Sequence, residues 1–390
     1  MTSASGDAAS AALVSSARAE AVVDLDAISA NVAALRAHVG GRDVMAVVKA
    51  DGYGHGIVAS ARAARAGGAS WLGVAFLDEA LALRASGDKG PILSWLAVPG
   101  ERYDVGVAAG VELSAYSVAQ LREIGAAADR VGKRAAVQLK LDTGLGRGGA
   151  HRDDWAELVD AAARSQETGS VEVTGVWSHL ARSDEPGHPS ISAQTAALAT
   201  GVAHAVESGL APRHLHLANS GGTLGSPGTW FTMVRPGIAI YGVSPFADGT
   251  SPVPIRPAMT LHGRLALVKR VNPGQGVSYG HTYVTERETT LALVPIGYGD
   301  GIPRHGSNRG PVLLNGRQYL VAGRVSMDQF VVDIGEASAA AGDAVVVFGD
   351  SDRGEPTAHD WAQAADTIGY EIVTRVGSRV PRGYVGAVGP

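Results

Sequence analysis

From about Val22 to Gly242 the chain alternates short β-branched runs with segments of helical period, a pattern that few folds accept. The runs are Val44–Val48, Trp71–Phe76, Pro91–Leu96, Val111–Ala115, Ala135–Leu141, Val171–Ser178, His214–Ala218 and Thr232–Tyr241. Between them lie helical stretches such as Asp26–His38, Ile57–Ala66, Leu77–Ala85, Ser117–Val131, Trp155–Ser165 and Ser192–Ser208. Crossovers between parallel strands are right-handed, and eight strands in roughly 220 residues fit a closed (β/α)8 barrel better than an open doubly wound sheet, the alternative. No Gly-x-Gly-x-x-Gly follows the first run, which weighs modestly against a dinucleotide fold.

After Gly242 the pattern changes. Ser244-Pro-Phe-Ala-Asp-Gly-Thr-Ser-Pro-Val-Pro reads as a connector between domains. Beyond it come short alternating runs at Met259–Val271, Glu288–Pro295, Pro311–Leu314, Gln318–Val325, Gln329–Asp333 and Ala344–Phe348, and one late helix, Thr357–Ile368, with a Thr357/Asp360 capping pair. The expected architecture is α/β: a disordered tail over 1–18, a TIM-like barrel over 19–243 and a mostly β C-terminal domain over 244–390. A chain of 390 residues suits two such domains.

The net charge of −5 provides no basic stripe, so nucleic acid is not an expected partner. With no cysteine the chain forms no disulfide, thiolate metal site or catalytic thiol, which fits a cytoplasmic protein. Met1 to Ala17 lacks a basic start followed by a compact apolar segment, and no window is apolar enough for a membrane span.

Barrels carry their sites at the C-terminal ends of the strands. Lys49 follows Val44–Val48 and opens Ala-Asp-Gly-Tyr-Gly-His-Gly, a turn whose glycines let backbone N–H groups approach an anion. At the same rim stand Lys140 and Asp142 with Arg147, then His179, Asn219 with Ser220, and Arg235. Each alone has a packing explanation, but five strands ending in such groups do not. Asn219-Ser-Gly-Gly and Arg235-Pro-Gly-Ile read as two phosphate-holding turns after the last two strands.

The segments Val47-Val-Lys49-Ala-Asp-Gly-Tyr53-Gly-His-Gly, Lys140-Leu-Asp-Thr-Gly-Leu-Gly-Arg147, Ser178-His179, Ala218-Asn-Ser220, Arg235-Pro-Gly-Ile-Ala-Ile-Tyr241, Val277-Ser-Tyr279-Gly, Gly297-Tyr298-Gly-Asp-Gly and Gly323-Arg-Val-Ser-Met327-Asp328-Gln resemble the alanine racemases. These are pyridoxal-phosphate enzymes of fold type III, and the resemblance runs from about Val22 to Tyr384. It implies a Schiff base on Lys49. It implies a cofactor pocket of Tyr53, Asn219, Ser220, Gly237, Ile238 and Tyr241. It places Arg235 at the pyridine nitrogen, supported from behind by His179.

Racemisation calls for acid–base groups on both faces of the α-carbon. The resemblance assigns them to Lys49 for D-alanine and Tyr279 for L-alanine. Arg147, Tyr298, Met327 and Asp328 would meet the substrate, and Lys140 corresponds to a lysine open to carbamylation. Asp184 and Arg304 match entrance residues, and no metal enters the implied site. The resemblance further implies a head-to-tail homodimer with shared sites, in which Tyr279 reaches the partner's cofactor, and a role in supplying D-alanine for peptidoglycan.

Two positions depart from the family pattern: Ser378 replaces a tyrosine of the inner gate, and Ser326 replaces a frequent cysteine. The first keeps open a broader racemase acting on serine or larger amino acids. A non-catalytic pyridoxal-phosphate carrier is the other alternative, disfavoured by the second domain.

Overall fold

The computed structural model describes residues 17–390. Its contacts divide the chain into two units: Asp24–Arg256 with Gly386–Pro390, and Pro257–Val385 with the segment ending at Val23. The strand between the units in sequence is β1 (Ala19–Asp24), whose last residue caps the helix Leu25–His38 by accepting from the Ala27 amide at 2.9 Å.

The first unit is built on β2 (Asp43–Val47), β3 (Trp71–Val74), β4 (Ile92–Ser94), β5 (Glu112–Ala115), β6 (Ala135–Lys140), β7 (Val171–Trp177), β8 (His214–His216) and β9 (Met233–Val234). Each is parallel to the next, and Asp43 opposite Met233 with Val44 opposite Val234 returns β9 to β2, closing the barrel. Covered on both faces, these strands are mostly apolar runs, which is why eight of them were legible. One layer of the interior is Met45, Trp71, Leu93 and Met233, with Trp95 packed against it. Truncating a fully buried member such as Leu93 to alanine costs about 2–5 kcal/mol.

The barrel presents its polar groups at one rim. Lys49 lies just beyond β2, Lys140 ends β6, His179 follows β7, Asn219 follows β8 and Arg235 follows β9.

The second unit holds a six-stranded sheet in the order β16-β15-β18-β10-β1-β19, with β10 at Met259–Arg264, β15 at Pro311–Leu314, β16 at Arg317–Leu320, β18 at Ala344–Phe348 and β19 at Arg382–Val385. A three-stranded sheet joins β11 (Leu267–Val271), β14 (Thr289–Val294) and β17 (Phe330–Gly335), and β12 (Gly276–Val277) pairs with β13 (Tyr283–Val284) as a hairpin. The expected run Met259–Val271 is two strands, β10 and β11.

Strand β1, counted with the barrel from sequence, pairs antiparallel with β10 from Ala19 opposite Gly263 to Val23 opposite Met259. Its burial alternates residue by residue, as a half-covered antiparallel strand does, whereas a barrel strand such as β7 is buried at all but one position. The tail expected over 1–18 lies outside the described residues except for Ala17 and Arg18. Arg18 is held, donating to the Pro295 carbonyl at 2.7 Å and to the fully buried Asp300 carboxylate at 2.6 Å. A buried carboxylate without a cation would be costly, so Asp300 ties this residue down.

Thr357 caps the late helix as expected, its hydroxyl accepting from the Asp360 amide at 3.1 Å while Asp360 accepts from the Thr357 amide at 2.7 Å. The helix stops at Ala365 because Asp366 turns left-handed at φ 55°, and Gly369–Thr374 forms a separate turn. No helix among the described residues is long and apolar enough to cross a membrane.

Candidate active site

The chain leaves β2 through a left-handed turn. Ala50, Asp51, Gly52 and Tyr53 all take positive φ, between 52° and 62°. Such a conformation costs a non-glycine residue of order 1–3 kcal/mol and persists only where the surroundings impose it. Here Glu79, in the first turn of the helix Leu77–Ala85, supplies that constraint. One oxygen of its carboxylate accepts from the Ala50 amide at 2.6 Å; the other accepts from Ala75 at 2.8 Å and Phe76 at 3.1 Å. The residue after Lys49 is thereby stapled to the end of β3.

The turn aims the Lys49 ammonium across the rim, 5.9 Å from the Trp95 ring centre and 6.0 Å from that of Tyr53. Burial lowers the Lys49 pKa; Arg147 and Arg235 lower it further, against the opposing pull of Glu79. A lysine made to give up its proton more easily is a better nucleophile and base.

Beside this turn, Tyr53 packs on Tyr241 with ring centres 5.1 Å apart, and the buried Tyr241 hydroxyl donates to the Val47 carbonyl at 3.3 Å. The loops after β8 and β9 are joined by Ser220, whose Oγ accepts from the amides of Gly237 at 2.9 Å and Ala239 at 3.3 Å. Asn219 accepts from the Gly222 amide at 3.1 Å. A Cβ at Gly237 would overlap the Tyr53 hydroxyl, so glycine is what lets that ring lie on the loop. Ile238 is buried beneath it. The structure thus brings together Tyr53, Asn219, Ser220, Gly237, Ile238 and Tyr241.

Arg235 is buried, and its guanidinium meets only neutral acceptors. Nη2 donates to the carbonyls of Ser178 at 2.7 Å and Leu217 at 3.2 Å and faces His179 Nδ1 at 3.3 Å; Nη1 faces His216 Nδ1 at 2.9 Å. Nε–H and the second Nη1–H have no hydrogen-bond partner among the described residues. Burial brings the Arg235 pKa down to about 9, and burial together with the Arg235 charge holds both histidines well below the usual histidine range. Trp177 lies under the group, 4.8 Å from the Arg235 guanidinium and stacked on His216 at 11°.

Lys140 joins this cluster over the other part of Trp177, its Nζ 4.5 Å from the ring centre. Its pKa falls to about 8, from burial first and then from Arg235 and Arg147. Asp142 makes no ion pair with it. Instead its Oδ1 accepts from the amides of Gly144, Leu145 and Gly146 at 2.9, 3.0 and 3.2 Å. Burial would push the carboxyl up, but these bonds hold it low. They shape the turn that presents the exposed Arg147. Asp184 is exposed and makes no hydrogen bond or ion pair with the described residues.

The remaining expected residues belong to the second unit, where they form a connected group. Tyr279, 71% exposed, sits at the tip of the β12–β13 hairpin, in a turn where Ser278, Gly280 and His281 all have positive φ. The Ser278 hydroxyl donates to the Arg324 carbonyl at 2.6 Å, tying that tip to the segment that leads to Ser326 and Met327. Tyr298 and Gly299 donate to the Ser326 and Met327 carbonyls at 3.0 and 2.8 Å, and Asp328 pairs with Arg379 at 2.8 Å. Tyr298 and Met327 are exposed at 39% and 53%. Arg304 is exposed, as is Ser378, whose neighbour Gly377 donates to the Asp300 carbonyl at 3.0 Å.

Sequence reasoning missed four residues of the barrel cluster: Glu79, Trp177, His216 and Gln138, whose Oε1 lies 2.6 Å from His216 Nε2. Only His216 left a usable trace, since His214-Leu-His216 at strand period turns its histidines to one face.

The described site has relatives across its whole length. The N-terminal domain family of the alanine racemases matches residues 23–245 and the C-terminal domain family matches 258–384. An alanine racemase of Frankia casuarinae is 55% identical over 370 residues, which are 94% of this chain and 96% of the relative. The crystal structure of alanine racemase from D-cycloserine-producing Streptomyces lavendulae superposes with a TM-score of 0.94 at 55% identity, covering 96% of this chain and 98% of that one. The alanine racemase of Bartonella henselae, solved with covalently bound pyridoxal phosphate, superposes at 0.85 with 30% identity, covering 95% and 100%.

Proposed function

The chain belongs to the alanine racemase family, and from that premise we propose that it interconverts L- and D-alanine with pyridoxal phosphate held covalently by Lys49. The observation that carries this reading is the pairing of a half-buried lysine of lowered pKa with a buried guanidinium whose Nε–H is left without a protein acceptor among the described residues. A pyridine nitrogen is an acceptor, and Arg235 offers it a donor; a guanidinium that stays protonated does not hand over that proton. At the other end, Tyr53, Ser220, the Gly237 backbone and Ile238 line a cradle for the phosphate, and a side chain at Gly237 would push the Tyr53 hydroxyl out of it. The residues present therefore fit the cofactor.

When bound, the cofactor supplies an electron sink for the pair released at the α-carbon. The chain supplies the protons. Lys49 Nζ takes the α-proton of D-alanine and returns one to the same face when the reaction runs backwards. Tyr279 Oη does the same for L-alanine on the opposite face. Arg147 receives the substrate carboxylate with Met327, Tyr298 and Asp328, and its charge also favours the ionised tyrosine. Asp184 and Arg304 stand at the entrance.

A Lys140 amine with a pKa of about 8 is free often enough near neutrality to take up carbon dioxide, releasing a proton and leaving a carbamate anion among Arg147, Arg235 and Lys49. That anion would hold Arg147 in place. Tyr279, exposed on its hairpin tip, serves the cofactor of a partner subunit, so the working unit is a homodimer with two shared sites. In the cell the product is D-alanine for peptidoglycan, made in the cytoplasm. On this reading the barrel of the 19–243 region, without β1, binds the cofactor and the 244–390 region contributes Tyr279.

Purified protein is expected to show a Schiff-base absorbance band and to racemise alanine in both directions. Lys49→Ala retaining both band and turnover would refute the assignment. A second reading, turnover of serine or larger amino acids as well, is favoured by the exposed Ser378 turn; comparing alanine, serine and lysine as substrates separates it from strict alanine specificity.

A further inference from the structure

The buried cation Arg235 has no carboxylate beside it, yet a chain of hydrogen bonds connects it to one. His216 Nε2 lies 2.6 Å from Gln138 Oε1, and Gln138 Nε2 donates to Glu112 Oε2 at 2.9 Å. Thr174 donates its hydroxyl to the same carboxylate oxygen at 2.6 Å. The chain crosses the barrel interior from β5 through β6 and β8 to the end of β9, and Gln138 and His216 are wholly buried.

We propose that Glu112 is a positioning residue for Arg235: acting through Gln138, it locks His216 as the Nε2–H tautomer, so that the guanidinium can only donate to its neighbours. The direction of every bond follows from the acceptor at the far end. A carboxylate cannot donate, so Gln138 must turn its NH2 toward Glu112 and its carbonyl toward His216. The carbonyl cannot donate either, so His216 Nε2 carries the hydrogen. A neutral imidazole then has a lone pair on Nδ1, and that pair faces Arg235 Nη1 at 2.9 Å. If Gln138 were reversed, its carbonyl would oppose a carboxylate and its NH2 would oppose Nε2–H. Trp177, stacked flat on His216 and donating its own N–H to Ser114 Oγ at 3.0 Å, blocks ring rotation as an escape.

This inference rests on the reading of Arg235 as the group that meets the cofactor's ring nitrogen. It specifies how the fold keeps that group a donor although burial lowers its pKa to about 9.

The test is nitrogen NMR of the enzyme without cofactor, labelled with ring-15N histidine, the His216 signals being those lost in His216→Gln. Between about pH 6 and 9, His216 is expected to show a protonated, pyrrole-type Nε2 and an unprotonated, pyridine-type Nδ1. An Nδ1–H tautomer or an imidazolium there overturns the proposal, and this measurement needs no active-site variant. Glu112→Leu should release the polarity, so that the two His216 signals move toward each other, and should weaken cofactor binding by about tenfold, the loss of one well-made hydrogen bond. Glu112→Gln, whose carbonyl can still accept, should restore both. Unmoved His216 signals in Glu112→Leu also overturn the proposal. If the tautomer is as stated but Arg235→Met binds the cofactor as well as the unaltered chain, the polarity stands and the assigned role of Arg235 falls.

Discussion

Lys49 and Tyr279 both sit in turns of positive φ, but the two turns are secured in opposite ways. The Lys49 turn is enclosed by the barrel: a carboxylate binds its backbone, two tyrosines and a tryptophan surround it, and three charged groups set the readiness of the amine to lose its proton. The Tyr279 turn caps a hairpin of two-residue strands, with 71% of the tyrosine exposed and side-chain bonds at the neighbouring Ser278 and Thr282 to hold it. A base whose strength depends on burial can be completed within one chain. A base left at an exposed tip would need another surface to enclose it before its charge could be tuned, which supports the proposed dimer with shared sites.

The largest effect should come from the enclosed half. Lys49→Ala removes the covalent hold and one base together, and racemisation measured by circular dichroism should fall by at least on the order of 10⁴-fold. Tyr279→Phe should cost roughly 10²–10⁴-fold in turnover while leaving the cofactor absorbance unchanged. Turnover that survives would erase the distinction between the halves.

Glu79→Gln probes how the Lys49 turn is imposed. The amide must set an NH2 group against a backbone N–H that now donates to a carboxylate oxygen, and a hydrogen bond to a charged group contributes about 1.5–3 kcal/mol. Because the Glu79 charge raises the Lys49 pKa, its loss should lower it further, read as a downward shift in the pH midpoint of lysine modification by an amine-specific reagent. An unchanged midpoint would remove Glu79 from the account.

Lys140 sharpens the comparison through stability. Its folded pKa of about 8 is below the ordinary 10.5, so between those values the unfolded chain binds more protons and stability rises with pH. Lys140→Met should flatten that rise in urea unfolding across the same window, provided carbon dioxide is excluded. The smallest effect belongs to the cap: Asn219→Ala should cost ~1 kcal/mol in the same unfolding assay, with turnover reduced far less than in Tyr279→Phe.

The barrel was legible because its strands are buried on both faces and its helices carry their own period, so each element announces itself locally. Strand β1 was misplaced because its partner β10 lies more than two hundred residues away, and no local pattern reports such a pairing. The same holds within the site. Lys49 and Arg235 could be read because they end strands, and Gly237 because it stands in a loop motif. Glu79 sits in an ordinary helix start, and Gln138 is a polar residue inside a mostly apolar strand; each gained its importance from a partner on another element. The left-handed conformation of Ala50 and Tyr53 was hidden for the same reason, since nothing in those residue types favours it and Glu79 holds the turn from outside.

The central claim is that Lys49 and Tyr279 act together from different subunits. Inactive Lys49→Ala and Tyr279→Phe proteins, unfolded, mixed in equal amounts and refolded, should form hybrid dimers in which one site has both residues and the other has neither. Random pairing then restores about a quarter of the activity of the unaltered enzyme. A mixture as inactive as its two components would contradict the account, for it would mean that each site takes both residues from one chain.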